Sequence, residues 1–134
     1  MLSFVLSRRF LVFSLLLIIL VHSWAVLTSA YFHYQWLDIV MHATGGFWIG
    51  LFAIFLVKNI SYPYVIAFWL VLGLVAIVGI LWEFFEFGMS QIGLELGRAA
   101  FIQPGLEDTL GDLLADLLGG AAAFILFQRR KEIL

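Results

Sequence analysis

Cysteine is absent from the chain, which excludes disulfides, thiolate metal sites and a cysteine nucleophile. Charge is scarce. Asp, Glu, Lys and Arg make up 12% of the 134 residues, whereas soluble domains carry about a quarter. So few charges cannot cover a water-facing surface. Net charge is -2 and no basic patch occurs away from the chain ends, so nucleic acid is not an expected partner. No H-E-x-x-H, G-x-S-x-G or P-loop signature is present. No linker, repeat or low-complexity tract interrupts the chain, so residues 1–134 read as a single transmembrane domain.

Hydrophobic residues are abundant, at 64%. A helix needs about 20 apolar residues to cross the hydrocarbon layer. Four stretches meet that length, over residues 10–31, 36–57, 64–87 and 108–127. Lipid offers no partners to an open backbone, so spans of this composition are helical. The expected fold class is all-α, a polytopic four-transmembrane-helix bundle. Arg8-Arg9, the apolar run and Thr28-Ser29-Ala30 resemble a secretory signal with a cleavage site. The run is read here as a retained membrane helix. Segment 88–107 is the longest connection, and a short interfacial helix or re-entrant flap is expected within it.

Orientation follows the basic residues. With four spans, Arg8, Arg9, Lys58, Arg129, Arg130 and Lys131 fall on one side and only Arg98 on the other. Both termini are therefore expected to be cytoplasmic. Trp24, Tyr31, Tyr34, Trp36, Tyr62 and Tyr64 lie near span ends and read as interfacial belts. Gly46, Gly50, Gly111, Gly119 and Gly120 read as points of close helix packing.

The acids are segregated. Asp38 begins the second span, Glu83 and Glu86 close the third, and Asp108, Asp112 and Asp116 open the fourth. All six fall in the outer half of the membrane or at its mouth. Residues three or four apart share a helix face. Asp38 and His42 are four apart, Glu83 and Glu86 three, and Asp108, Asp112 and Asp116 step by four. Three helices thus bring acids to matching depths, with Asp38, Glu86 and Asp108 above and His42, Glu83 and Asp112 below. Asp116 lies beneath these. His22 falls at a comparable depth and reads as a hydrogen-bonded packing residue. Asp38 and Asp108 also sit where helix N-caps are expected.

A charge at mid-bilayer costs at least about 2.5–3.5 kcal/mol, so these side chains should face the bundle interior. No Lys or Arg within the spans balances them. Protonation, an approach of Arg98, or a bound cation are the available remedies. Oxygen ligands with one imidazole suit a divalent ion such as Zn, Mn, Mg or Ca. The candidate metal ligands are His42, Glu83, Glu86, Asp112, Asp116, Asp38 and Asp108. His42 and Glu83 are the candidate catalytic acid or base.

Asp38-x-x-x-His42 with Gly45-Gly46, then Trp82-Glu83-x-x-Glu86, then Asp108-Thr109-x-x-Asp112-Leu113-x-x-Asp116-x-x-Gly119 resembles the YjdF-like family of inner-membrane proteins. It is similar, more distantly, to VanZ-like membrane proteins, which also place an Asp and a His early in one helix and acids in two later ones. The likeness covers roughly residues 36–120. It implies the cytoplasmic (inner) membrane, and VanZ-like kinship implies a link to the cell envelope.

Three functional classes follow. One is a metal-dependent enzyme acting on a lipid or envelope phosphate at the outer leaflet. The second is a cation or proton-coupled transporter, whose complete path would require a homo-oligomer or a large rearrangement. The third is a non-catalytic envelope or assembly factor. Membrane lipid is the expected partner in each.

Overall fold

The structure is a computed structural model that describes residues 5–95 and 105–127. Five helices follow in order: α1 (Arg8–Leu27), α2 (Ala30–His33), α3 (Trp36–Val57), α4 (Tyr64–Glu95) and α5 (Leu106–Phe127). Among the described residues there is no strand. The four long helices are each apolar enough to cross a membrane. The protein is an all-α, multi-pass membrane protein, as the hydropathy pattern implies.

Helix boundaries have local causes. The Ser7 hydroxyl caps α1 by accepting from the Phe10 backbone N–H at 3.2 Å. Ser29 takes the left-handed conformation, with φ 56°, and divides α1 from the single turn α2. The first span therefore ends at Leu27 rather than near Tyr31. Pro63 precedes α4 and its carbonyl accepts from Ala67 at 3.0 Å. Gly105 supplies the positive φ, 122°, that opens the approach to α5.

The third span is longer than its hydropathy suggests. α4 has 32 residues, about 48 Å at the usual rise, against about 30 Å of hydrocarbon. Residues 88–95 continue this helix, so the expected 88–107 connection begins later. The expected interfacial element, with Gly97, Arg98, Phe101, Ile102 and Pro104, lies outside the described residues. So do Arg129, Arg130 and Lys131.

Lipid removes the hydrophobic drive between helices, leaving close packing as the main force. That packing is tightest between α3 and α5. A Cβ on Gly46 would overlap the Asp116 carbonyl, and one on Gly119 would overlap the Ala43 carbonyl. A Cβ on Gly50 would lie 2.9 Å from the Ala123 methyl. These pairings also show that α3 and α5 run in the same direction. α4 closes the other side, with Val75 against Gly120. Below these contacts, Ile54, Val71 and Phe124 form the driest part of the core, with Tyr64 and Phe68 rings 4.8 and 5.2 Å from Phe124. Gly111 is different, because an added Cβ there meets nothing within 4 Å. Its expected packing role is not what the fold shows.

α1 is peripheral. Only Leu11 and Ala25 are buried, while Val12, Phe13, Leu16 and Leu20 face outward. Its main polar tie is the Trp48 indole of α3, which donates to the Leu11 carbonyl at 3.0 Å and the Ser14 hydroxyl at 3.1 Å.

Replacing Gly119 with Ala should lower the thermal unfolding temperature in detergent. Overpacking of this kind costs about 1–3 kcal/mol. Replacing Gly111 with Ala should leave the temperature unchanged or raise it. Equal responses at the two positions would contradict the α3–α5 contact.

Candidate intramembrane polar site

Three helices each deliver one polar stripe. On α3, Asp38 and His42 lie one turn apart, and Gly46 and Gly50 continue the same face downward. On α5, Asp112 and Asp116 lead into Gly119 and Gly120. The glycines that let these helices touch therefore also press the two polar segments together. α4 adds Glu83 and Glu86 from the side.

His42 is the hub. It is 6% exposed, and Asp112, Glu83 and Asp116 are buried beside it at 2%, 7% and 7%. His42 Nε2 lies 4.0 Å from Asp38 Oδ1, 4.0 Å from Glu83 Oε1, 3.9 Å from Glu86 Oε2 and 4.0 Å from Asp112 Oδ2. An N–H···O hydrogen bond spans about 2.7–3.2 Å. The four oxygens surround Nε2 at a distance too long for any of them to be its hydrogen-bond acceptor.

The other ring nitrogen faces Asp116. Nδ1 donates to Asp116 Oδ2 at 3.4 Å, a long hydrogen bond. An ionised carboxylate oxygen only accepts, so this contact is a hydrogen bond in the tautomer that carries its proton on Nδ1. In the neutral ring the Nε2 lone pair then points at the four carboxylates.

Two groups hold ligand atoms within 4.8 Å of one another: Asp38, His42 and Asp112, and His42, Glu83 and Glu86. The structure thus brings together five of the seven residues that the spacing nominates. Asp116 sits on the Nδ1 side and belongs to neither group. Asp108 lies one turn nearer the start of α5, partly exposed, and also belongs to neither. Asp38 and Asp108 stand within the first turns of α3 and α5 rather than at their N-caps. The N-cap position of α3 is Gln35.

Three features were not evident from the spacing. Gly79 lies one turn before Glu83, and a Cβ there would stand 2.5 Å from Asp116 Oδ2. Its missing side chain makes room for that carboxylate. Tyr31 is not an outward belt residue, because its hydroxyl meets His22 Nδ1 at 2.8 Å. Burial, followed by the charges of Asp38 and Glu86, pushes the Tyr31 phenol well above its ordinary range, so it stays protonated. The His22 ring stands edge-on to Trp82 at 5.1 Å, in the packing role expected of it. Finally, a cavity of about 480 Å³ opens beside the cluster, between α1, α3 and α4.

The architecture and the site define a polytopic membrane protein with a buried His and carboxylate centre. The chain belongs to the family described as predicted membrane protein (DUF2238), whose model matches residues 2–132. This is the YjdF-like family that the motif spacing resembles. No curated protein and no solved structure matches the chain.

The Gly79 contact generates a test by double-mutant cycle. Gly79→Ala alone should destabilise the protein by displacing the Asp116 carboxylate. In an Asp116→Ala background, most of that cost should disappear. A coupling of about 0.5–3 kcal/mol is the usual range for residues in contact. Additive losses in thermal unfolding would show that Gly79 does not seat Asp116.

Proposed function

We propose that this protein binds a divalent cation inside the membrane, on the Nε2 side of His42. The observation that carries the reading is the ring of four carboxylate oxygens at 3.9–4.0 Å from Nε2. These spacings exceed hydrogen bonds and are about half an ångström wider than two tetrahedral ligand bonds of about 2.0–2.2 Å at one ion, so the side chains would close in on the cation they bind. His42, Glu83, Glu86, Asp112 and Asp38 are the ligand set, drawn on in different combinations. Asp116 positions the imidazole from behind, in the manner of the carboxylate–histidine pairs that orient metal-binding rings. Oxygen donors with one nitrogen suit Mn, Mg, Zn or Ca.

The reaction class that fits best is hydrolysis or transfer at a lipid or envelope phosphate. A cation at this place would polarise a phosphoryl oxygen and acidify a bound water. With His42 as a ligand, Glu83 would carry a proton in the combination that leaves it off the ion, His42 with Asp38 and Asp112. The site lies about six residues into α3, or ~9 Å from its start, the depth at which a head group meets its chain. The distant VanZ-like spacing supports an envelope substrate. Transport is the less favoured reading. Beneath Asp116, the α3–α5 glycine contact and the fully buried Ile54, Val71, Val75 and Phe124 fill the remaining span.

Metal ligands must be deprotonated, so cation binding should weaken as pH falls. Thermal unfolding in detergent, with EDTA or with Zn, Mn, Mg or Ca, across pH 5 to 8, reads this directly. A cation at 100 times its Kd should stabilise the protein by about 2.7 kcal/mol. The shift should shrink toward pH 5 and vanish in Asp112→Asn. A melting temperature indifferent to EDTA and to all four cations overturns the reading.

The leaflet is set by topology. The basic residues motivate an outer-leaflet site with both termini cytoplasmic. The chain has no cysteine, so single substitutions report cleanly. Leu106→Cys should react with an impermeant thiol reagent from outside the cell, and Ile60→Cys should not. The opposite pattern would move the site to the cytoplasmic leaflet.

A further inference from the structure

The cavity of about 480 Å³ is polar at one end only. Asp38, His42, Glu86 and Asp116 bound that end, together with His22 and Tyr31. The remainder is walled mainly by apolar side chains, including Leu15 and Ile18 of α1, Ile49 of α3, and Val75 and Val78 of α4. The polar end faces the membrane surface nearest the cluster, and the apolar end reaches toward mid-membrane. That polarity matches one leaflet of the bilayer, with head above and chain below.

The side of the cavity between α1 and α4 carries side chains that also reach the outside of the bundle. The α1 backbone packs on α3 and stays away from α4, which α1 meets through the His22 ring edge-on to Trp82 at 5.1 Å. The wall residues Ile19, Trp82 and Phe85 are themselves 51%, 37% and 52% exposed. Below the His22–Trp82 contact, this side of the cavity lies at the depth of the acyl region of the lipid. Size selects the occupant. At ~30 Å³ for a group of water or methylene size, the volume holds about sixteen such groups in line. A transmembrane helix is 10–12 Å across and does not fit. No Lys or Arg lines the cavity among the described residues. An anionic head therefore meets complementary charge only through a cation at His42.

We propose that this cavity seats the single hydrocarbon chain of a membrane amphiphile that enters between α1 and α4 and presents an oxyanion head to the cation at His42. The proposal rests on the metal reading above and adds the substrate's class and its route. The apolar wall orders the chain, and the polar end selects a head that carries oxygens to the metal. Tyr31, whose hydroxyl lies 2.8 Å from His22 Nδ1, lines the polar end beside that head.

Gly45 provides the means to test it. It lines the cavity, yet an added Cβ there meets nothing within 4 Å. Gly45→Phe therefore fills the space without disturbing helix contacts or the proposed ligands. The full-length protein, in phosphatidylcholine nanodiscs, is photolabelled with dodecyl phosphate carrying a mid-chain diazirine, with Mn or with EDTA. Dodecylammonium bearing the same diazirine is the charge-reversed control. Insertion sites are mapped by mass spectrometry, and the Mn-dependent melting shift is recorded on the same samples.

The expected result is Mn-dependent labelling by the phosphate probe at Ile18, Ile19, Met41 and Val78. Gly45→Phe should abolish that labelling and keep the Mn shift. Labelling spread over the outward residues Phe13, Leu16 and Leu118 irrespective of Mn, with the Mn shift intact, overturns the cavity proposal and leaves the metal site standing. Cavity labelling by the ammonium probe but not the phosphate probe overturns the oxyanion head. Loss of the Mn shift in the unsubstituted protein overturns the metal reading, and with it the head-group half of this proposal.

Discussion

The approach of α3 to α5 is the constraint on which the rest of the structure depends. In water, burial of apolar area would draw these helices together. In lipid that gain is absent, and contact depends on shape. Gly46, Gly50, Gly119 and Gly120 remove the side chains that would hold the backbones apart. His42 stands one turn above Gly46, and Asp116 lies directly against Gly46. The distance between imidazole and carboxylates is therefore fixed by the glycines beneath them. A larger residue at Gly46 or Gly119 would separate the helices, and His42 would lose Asp112 and Asp116 together.

The polar site is costly in the same medium. Each intramembrane charge carries an insertion cost of about 2.5–3.5 kcal/mol or more. Nearby carboxylates add mutual repulsion, and among the described residues no Lys or Arg lies beside them, since Arg8 and Arg9 stand at the opposite end of α1 from His22. Such a cluster is stable only where the acids share something positive. His42 stands at that point, with four carboxylate oxygens around Nε2 and a fifth at Nδ1. One imidazole proton cannot reach four oxygens at 3.9–4.0 Å, whereas a cation among them can. The arrangement of charge and the arrangement of distance favour the same occupant.

The helical content, the number of spans and the convergence of His42 with Asp38, Glu83, Glu86 and Asp112 were all legible in the sequence. Their cause is simple periodicity: residues three or four apart on a helix share a face, and acids do not face lipid. Other features depend on how helices rotate against each other, which spacing leaves open. Asp116 continues the stripe of Asp112, yet it meets the opposite ring nitrogen, one turn deeper and against Gly46. Gly79 looks like any helix glycine until Asp116 is placed against it. Gly111 resembles the packing glycines but points away from α3. Tyr31 looks like an interfacial aromatic until Ser29 turns the chain and carries its hydroxyl back to His22. The end of α4 was hidden for another reason: hydropathy falls after Phe87, while helical hydrogen bonding continues to Glu95.

Precision and looseness are divided between the helices. α3, α4 and α5 hold every residue of the two ligand groups and are locked by glycine contacts and a dry apolar core. α1 supplies no ligand to either group and no glycine contact. It is tied by the Trp48 indole at one end and by the His22 ring against Trp82 and Tyr31 at the other. Between those ties it stands off α4, and the cavity occupies the space. An element that had to set ligand geometry could not be attached in this way, since an error of an ångström would empty the site. An element that admits a hydrocarbon chain from the side can be, because the chain itself completes the packing. The separation of these duties explains why α1 lies beside the polar cluster without contributing a carboxylate to it.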